Sequence, residues 1–217
     1  MELLTQLIDI ALHLDKHLAN LLELYGVWLY VILFLVIFAE TGLIVTPFLP
    51  GDSLLFVAGA LAAANSGNFD VMVLIPLLIV AAILGDGLNY RVGRWFGPRV
   101  FQWENSRFFS RAAFDKAHAF YETHGGKTVV IARFLPLVRT YVPFVAGVAE
   151  MTPARFTLFN VSGAVLWIVS LCLAGYWFGN LPWIKSNLTL VILIIIGLSL
   201  LPMVIAWWRH RFATKAI

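Results

Sequence analysis

Thr128 to Ala149 reads TVVIARFLPLVRTYVPFVAGVA. Apart from Arg133 and Arg139, the stretch is built for lipid. A charged side chain at the bilayer centre costs ~2.5–3.5 kcal/mol even on a lenient insertion scale, so two cost roughly 5–7 kcal/mol unless water or opposite charge meets them. One other apolar stretch, Leu24 to Ala64, carries the acids Glu40 and Asp52 and no basic residue. Both stretches are broken: the first by Pro136 and Pro143, the second by Thr46-Pro47-Phe48-Leu49-Pro50-Gly51-Asp52. No straight helix tolerates such a cluster. Acids in one broken segment and arginines in another point to a polar site assembled inside a membrane.

The composition agrees. Of 217 residues, 61% are hydrophobic and 12% charged, against about 25% charged in soluble domains. Mean hydropathy is +0.88. A single membrane domain is expected. The start, Met1-Glu2, has no basic region before the apolar run, so no secretory signal is expected. Cys172 lies mid-span and reads as a small packing residue. The pI near 9.2 has a topological reading rather than a nucleic-acid one.

Phe156–Gly179 and Leu188–Trp208 read as membrane helices, as does Val71 to about Tyr90 if Pro76 kinks rather than breaks it. Seven Lys and Arg between Arg91 and Lys127 place that loop in the cytoplasm, and the tail Arg209-His210-Arg211 with Lys215 sits there too. An even number of crossings must separate them. Thr128–Ala149 is therefore expected to enter from the cytoplasm, turn at its prolines and leave on the same side, with its arginines near the tip. Non-helical backbone at that depth requires surrounding protein or a water-filled cavity. Leu24–Ala64 is either a full hairpin or a crossing helix followed by a re-entrant piece, and the side of the N-terminus is open. Residues 3–22 have the spacing of an amphipathic interfacial helix, and Arg107–His124 is similar but more basic.

The halves echo one another. Phe56-Val57-Ala58-Gly59-Ala60 recurs as Phe144-Val145-Ala146-Gly147-Val148, and Gly93-Arg94-Trp95-Phe96-Gly97 as Gly175-Tyr176-Trp177-Phe178-Gly179. The expected fold is an all-α polytopic membrane protein. Each inverted repeat holds an amphipathic helix, a re-entrant hairpin and a transmembrane helix: residues 1–97 form the first and 107–179 the second. A C-terminal span, 188–208, follows. Inverted repeats with broken helices meeting near the midplane are a secondary-transporter architecture.

Arginine suits a buried phosphate, being always charged, planar and able to donate two parallel hydrogen bonds. Arg133 and Arg139 are six apart, about 240° around an unbroken helix; a break at Pro136 lets both face one ligand. The bland alternative is that they pair with Glu40 and Asp52 only to close the hairpins. Those acids feel desolvation against ion pairing and suit a proton-linked gate. Asp52 also reads as a cap for a half-helix Ser53–Ala64. Supporting roles fall to Pro50, Gly51, Ser53, Asp86, Pro136 and Thr140, with Asp86 read as a structural partner of Arg91 or Arg94. His13 and His17 lack a third ligand and read as an interfacial pair, so neither metal nor cofactor is expected. Trp28, Tyr30, Trp167, Trp183, Trp207 and Trp208 read mostly as interface anchors.

At Glu40-Thr41-Gly42, Pro47-Phe48-Leu49-Pro50-Gly51-Asp52-Ser53-Leu54, Gly85-Asp86 through Gly97, and Arg133-Phe134-Leu135-Pro136-Leu137-Val138-Arg139-Thr140, the chain resembles the bacterial DedA family of inner-membrane proteins. That family is related to eukaryotic scramblases with paired re-entrant loops. The resemblance implies potential-dependent transport and the return of undecaprenyl phosphate, the cell-wall lipid carrier, across the inner membrane. It also implies required roles for Glu40, Asp52, Arg133 and Arg139. The expectation is a non-enzymatic, proton-motive-force-dependent translocase. Arg133 and Arg139 bind the phosphate, and Glu40 and Asp52 handle protons. Its partners are the bilayer, the anionic lipid and protons, with a homo-oligomer open and the C-terminus cytoplasmic. Rivals are a small-ion or proton antiporter, a less specific lipid scramblase, a membrane polyprenyl-diphosphate phosphatase, and an assembly scaffold. The phosphatase lacks a convergent histidine, and a scaffold leaves four intramembrane charges unexplained.

Overall fold

A computed structural model of the chain describes residues 14–43, 51–64, 69–101, 126–134 and 136–187, and six positions from 190 to 197. Among the described residues every regular element is helical: α1 (Leu14–Tyr25), α2 (Trp28–Gly42), α3 (Gly51–Ala64), α4 (Val71–Phe101), α5 (Lys127–Ala132), α6 (Pro136–Val148), α7 (Pro153–Phe178) and α8 (Pro182–Ser186). Residues 3–13 of the expected amphipathic helix, the loop Thr46–Pro50, the basic segment Arg107–His124 and most of the expected span Leu188–Trp208 lie outside the described residues.

Two helices are long and apolar enough to cross a membrane, Val71–Gly97 within α4 and Pro153–Phe178. Asp70 starts the first of them: its Oδ1 accepts from the Met72 amide at 2.8 Å, satisfying a donor with no intrahelical partner. The helix continues unbroken through Pro76. It also continues beyond Tyr90 to Phe101, so Arg91, Arg94 and Arg99 extend a helix rather than open a loop. The apolar run stops at Tyr90, whereas helix propensity does not. By contrast α2 and α3, with 15 and 14 residues, span only ~22 and ~21 Å, short of the ~30 Å hydrocarbon core.

The chain forms two compact units. One comprises residues up to Ile32, Pro50–Pro76 and Ile168 onward. Its centre is α3, in which ten residues are buried, on all sides of the helix. α1 packs on α3 and buries Leu18 and Leu22 one turn apart. Asp52 lies in the first turn of α3, which begins at Gly51, where its charge meets the positive helix end. Tyr30 fastens the start of α4: its hydroxyl accepts from the Asp70 amide at 2.6 Å, and its ring packs on Phe69 at 4.8 Å.

The other unit comprises Leu33–Leu49 and Leu77–Trp167. Tyr90, Val129, Ala132, Val142, Ala146 and Phe156 form a core in it, with Tyr90 stacked on Phe156 at 4.2 Å. α6 ends in a Schellman turn: the Met151 amide reaches the Ala146 carbonyl at 3.0 Å, and Glu150 takes the left-handed position at φ 55°.

Each unit contains the same set of close helix crossings. In the first, a Cβ on Gly59 would overlap the Cys172 carbonyl, one on Gly175 the Phe56 carbonyl, and one on Gly179 would strike Ala60. In the second, a Cβ on Gly147 would overlap the Tyr90 carbonyl, one on Gly93 the Phe144 carbonyl, and one on Gly97 would press on Val148. These are corresponding positions of the two sequence echoes. In both units the FVAG segment of one half of the chain packs on the glycine-rich helix of the other half.

Candidate functional site

The second unit holds the charges. Thr128–Ala149 folds as the short helix α5, a break at Arg133 and Phe134, and α6 from Pro136. Proline disfavours helical backbone just before it and is welcome at a helix start, which fixes where the break falls. The break frees Arg133 from the helical angle that would point it away from Arg139.

Both arginines are buried, at 3% and 7% exposure, and each has its own acid. Arg139 Nη2 pairs with Glu40 Oε1, and Arg133 Nη2 pairs with Asp86 Oδ2. The guanidinium carbons of Arg139 and Arg133 lie 4.9 and 5.7 Å from the centroid of one ring, Trp167. That tryptophan is 1% exposed, so the interface-anchor reading of Trp167 is corrected. Trp28 and Trp183, by contrast, are exposed.

Amides complete the cluster. Arg133 Nη2 also donates to Asn160 Oδ1, while Asn160 Nδ2 donates to the Ile83 carbonyl at 3.2 Å. Asn89 Nδ2 donates to the Thr140 carbonyl at 2.7 Å, tying α4 to α6 beside Arg139. Arg133 Nε and Nη1 are buried with no hydrogen-bond partner among the described residues. Gly163 makes room for this side chain, since a Cβ there would sit 3.3 Å from Arg133 Nε.

Of the residues expected at the site, Arg133, Arg139, Glu40, Asp86 and Thr140 come together. Asp86 does not pair with Arg91 or Arg94; the bend before Pro136 brings Arg133 to it, and Arg94 donates instead to the Tyr90 hydroxyl at 3.2 Å. Gly51, Asp52 and Ser53 belong to the other unit, and Pro50 lies outside the described residues. Asn160 has no role in the sequence pattern, and Trp167 has the wrong one, an interface anchor. An asparagine in the first third of an otherwise apolar span is the signal available for Asn160.

Two spanning-length helices and two ion pairs buried among them define a polytopic all-helical membrane protein with an internal charged site. The chain belongs to the VTT domain family, whose model matches residues 43–177, and the DedA resemblance in its motifs is family membership. It is 53% identical over 213 residues to protein DedA of Escherichia coli strain K12, covering 98% of this chain and 97% of that one. It is 34% identical over 225 residues to inner membrane protein YqjA of the same strain, covering 99% and 100%. An uncharacterized membrane protein of Mycobacterium leprae is 45% identical over 181 residues, covering 83% and 80%. No solved structure matches the chain.

Proposed function

We propose that the protein is a proton-motive-force-dependent translocase of lipid phosphate, returning undecaprenyl phosphate across the bacterial inner membrane. The observation that carries this reading is Arg133. Its Nη2 is committed to Asp86 and Asn160, while Nε and Nη1 are buried without partners among the described residues. A buried donor left unmade costs ~1–3 kcal/mol, more when charged, and a phosphate oxygen removes that cost. Arg139 is held over the same tryptophan ring, so both guanidiniums can meet one anion. Glu40 competes with the anion for Arg139, and a proton on Glu40 frees the arginine. Asp52 keeps its proposed proton role from the family motif. The polyprenyl tail stays in lipid, and no phosphate ester is cleaved.

The inverted-repeat, re-entrant architecture is part of the proposal. Its support is the repeated set of glycine crossings and the short lengths of α3 and α6. The C-terminus is cytoplasmic in this reading, and an oligomer is compatible with it. Reconstitution with labelled undecaprenyl phosphate, following both leaflet movement and released inorganic phosphate under an imposed proton gradient, tests it. Gradient-dependent movement without release supports the translocase. Release supports a phosphatase, and gradient-dependent ion flux without lipid movement supports an antiporter.

A further inference from the structure

The ion pairs carry a consequence for the number of protons. Glu40, Asp86, Arg133 and Arg139 are all buried, at 0, 4, 3 and 7% exposure, and their formal charges sum to zero. Net charge in such a place is heavily penalised, so a ligand anion must displace an equal negative charge or arrive with protons. Each carboxylate is already committed to one arginine, Glu40 to Arg139 and Asp86 to Arg133. A phosphate monoester dianion adds two negative charges, and the site offers two acids.

We propose that Asp86 is a proton-accepting gate for Arg133, matched to Glu40 at Arg139, and that the site takes up one proton at each acid when a phosphate monoester dianion binds. The proposal rests on the phosphate reading above and extends it to a residue and a stoichiometry. Before binding, two guanidiniums balance two carboxylates. Afterwards they balance the dianion, and both acids are neutral, each proton having come from water onto a carboxylate oxygen. Asn160 Oδ1 accepts from the same Arg133 nitrogen as Asp86, so it keeps the guanidinium in place once Asp86 is neutral. Nε and Nη1 then face the anion. The charged groups acting on Asp86 are Arg133, at the bend before α6, and Arg139 on α6; Glu40 on α2 is the acid that balances Arg139.

Titration calorimetry in buffers of different ionisation enthalpy counts protons taken up on binding. The probe is a short-chain polyprenyl phosphate at pH 8, above the second phosphate pKa of about 6, so that it is added as the dianion. The wild-type chain should take up two protons per phosphate bound, Asp86→Asn one, Glu40→Gln one, and the double variant none. Because Asp86→Asn leaves Arg133 without its acid, Asp86→Asn with Arg133→Gln provides a neutral pair and, with one guanidinium left against a dianion, should bind far more weakly than the wild-type chain. Asp86→Glu should restore two. Wild-type uptake by the Asp86→Asn variants, or a single proton in the wild-type chain, overturns the gate. Failure of the folded wild-type chain to bind the probe overturns the phosphate reading itself, and the gate with it.

Discussion

Arg139 lies with its guanidinium carbon 4.9 Å from the centroid of the buried Trp167 ring, and Arg133 uses the same ring at 5.7 Å. Two like charges thus share one neutral π surface while each keeps a separate acid. A desolvated cation–π contact contributes ~2 kcal/mol, and 1.4 kcal/mol is a factor of ten. Trp167→Leu should therefore lower lipid-phosphate transport by roughly 10- to 30-fold in protein that still inserts and folds. Trp167→Phe, which keeps a π face, should fall between. Equal transport by the leucine and phenylalanine variants would show that the ring only fills space.

Much of this site was legible in the sequence because its cost was. Arg133 and Arg139 stand out in Thr128–Ala149 whatever surrounds them, and Pro136 marks the break between α5 and α6. Their partners were harder to read. Asp86 and Arg133 are 47 positions apart, and no periodicity links them; Arg94, two turns along the same helix, was the local alternative. Trp167 lies mid-span in Phe156–Gly179, and only the placing of α6 and α7 shows which side chains share its ring. Helix ends were misjudged at α4, where the apolar pattern stops at Tyr90 but the helix runs to Phe101.

The glycine crossings predict matched damage in the two units. Gly93→Ala and Gly175→Ala each drive a methyl into a backbone carbonyl, Phe144 in one unit and Phe56 in the other. Backbone yields less than a side chain, so each should cost at least the ~1–3 kcal/mol typical of overpacking. Gly87 has nothing within 4 Å of its would-be Cβ and sits inside α4, so Gly87→Ala should be neutral or stabilising by up to ~1 kcal/mol. Unfolding of purified protein in detergent ranks the three. Silent Gly93 and Gly175 variants would remove the crossings as a determinant of the fold.

Glu150 is the chain's one described non-glycine residue with positive φ, and it is exposed. Left-handed backbone costs an ordinary residue ~1–2 kcal/mol. Glycine removes that cost but adds ~0.4–1 kcal/mol of unfolded-state freedom. Glu150→Gly should raise stability by somewhat under ~1 kcal/mol and leave transport unchanged, as a melting curve beside a flux assay would show.

Lysine at either arginine position keeps the charge and loses the planar fork. At Arg133, an ammonium has three donors, and with Asp86 and Asn160 served only one is left for an anion. The loss of one charge-assisted hydrogen bond, ~1.5–3 kcal/mol, sets the expected fall in transport at roughly 10- to 100-fold for Arg133→Lys and for Arg139→Lys, with folding retained. Full transport by both lysine variants would mean that charge alone matters and that the ion pairs serve to close the hairpin.

The proposed re-entrant path makes the sharpest geometric prediction. α5 and α6 hold six and 13 residues, ~9 and ~20 Å of helix, and the helix is interrupted between them at Arg133 and Phe134. Neither piece alone crosses ~30 Å of hydrocarbon. A bend that returns the chain puts Lys127 and Glu150, both exposed, on the same side of the membrane. In the proposed topology the seven basic residues from Arg91 to Lys127 put that side in the cytoplasm. Cys172 is the only native cysteine and is buried, so a Cys172→Ser background leaves introduced thiols as the sole targets. Lys127→Cys and Glu150→Cys, tested singly in inverted and right-side-out vesicles with a membrane-impermeant maleimide, should both label only from the cytoplasmic face. Labelling from opposite faces would make Thr128–Ala149 a crossing segment and would break the inverted-repeat reading, because α7 would then run the other way.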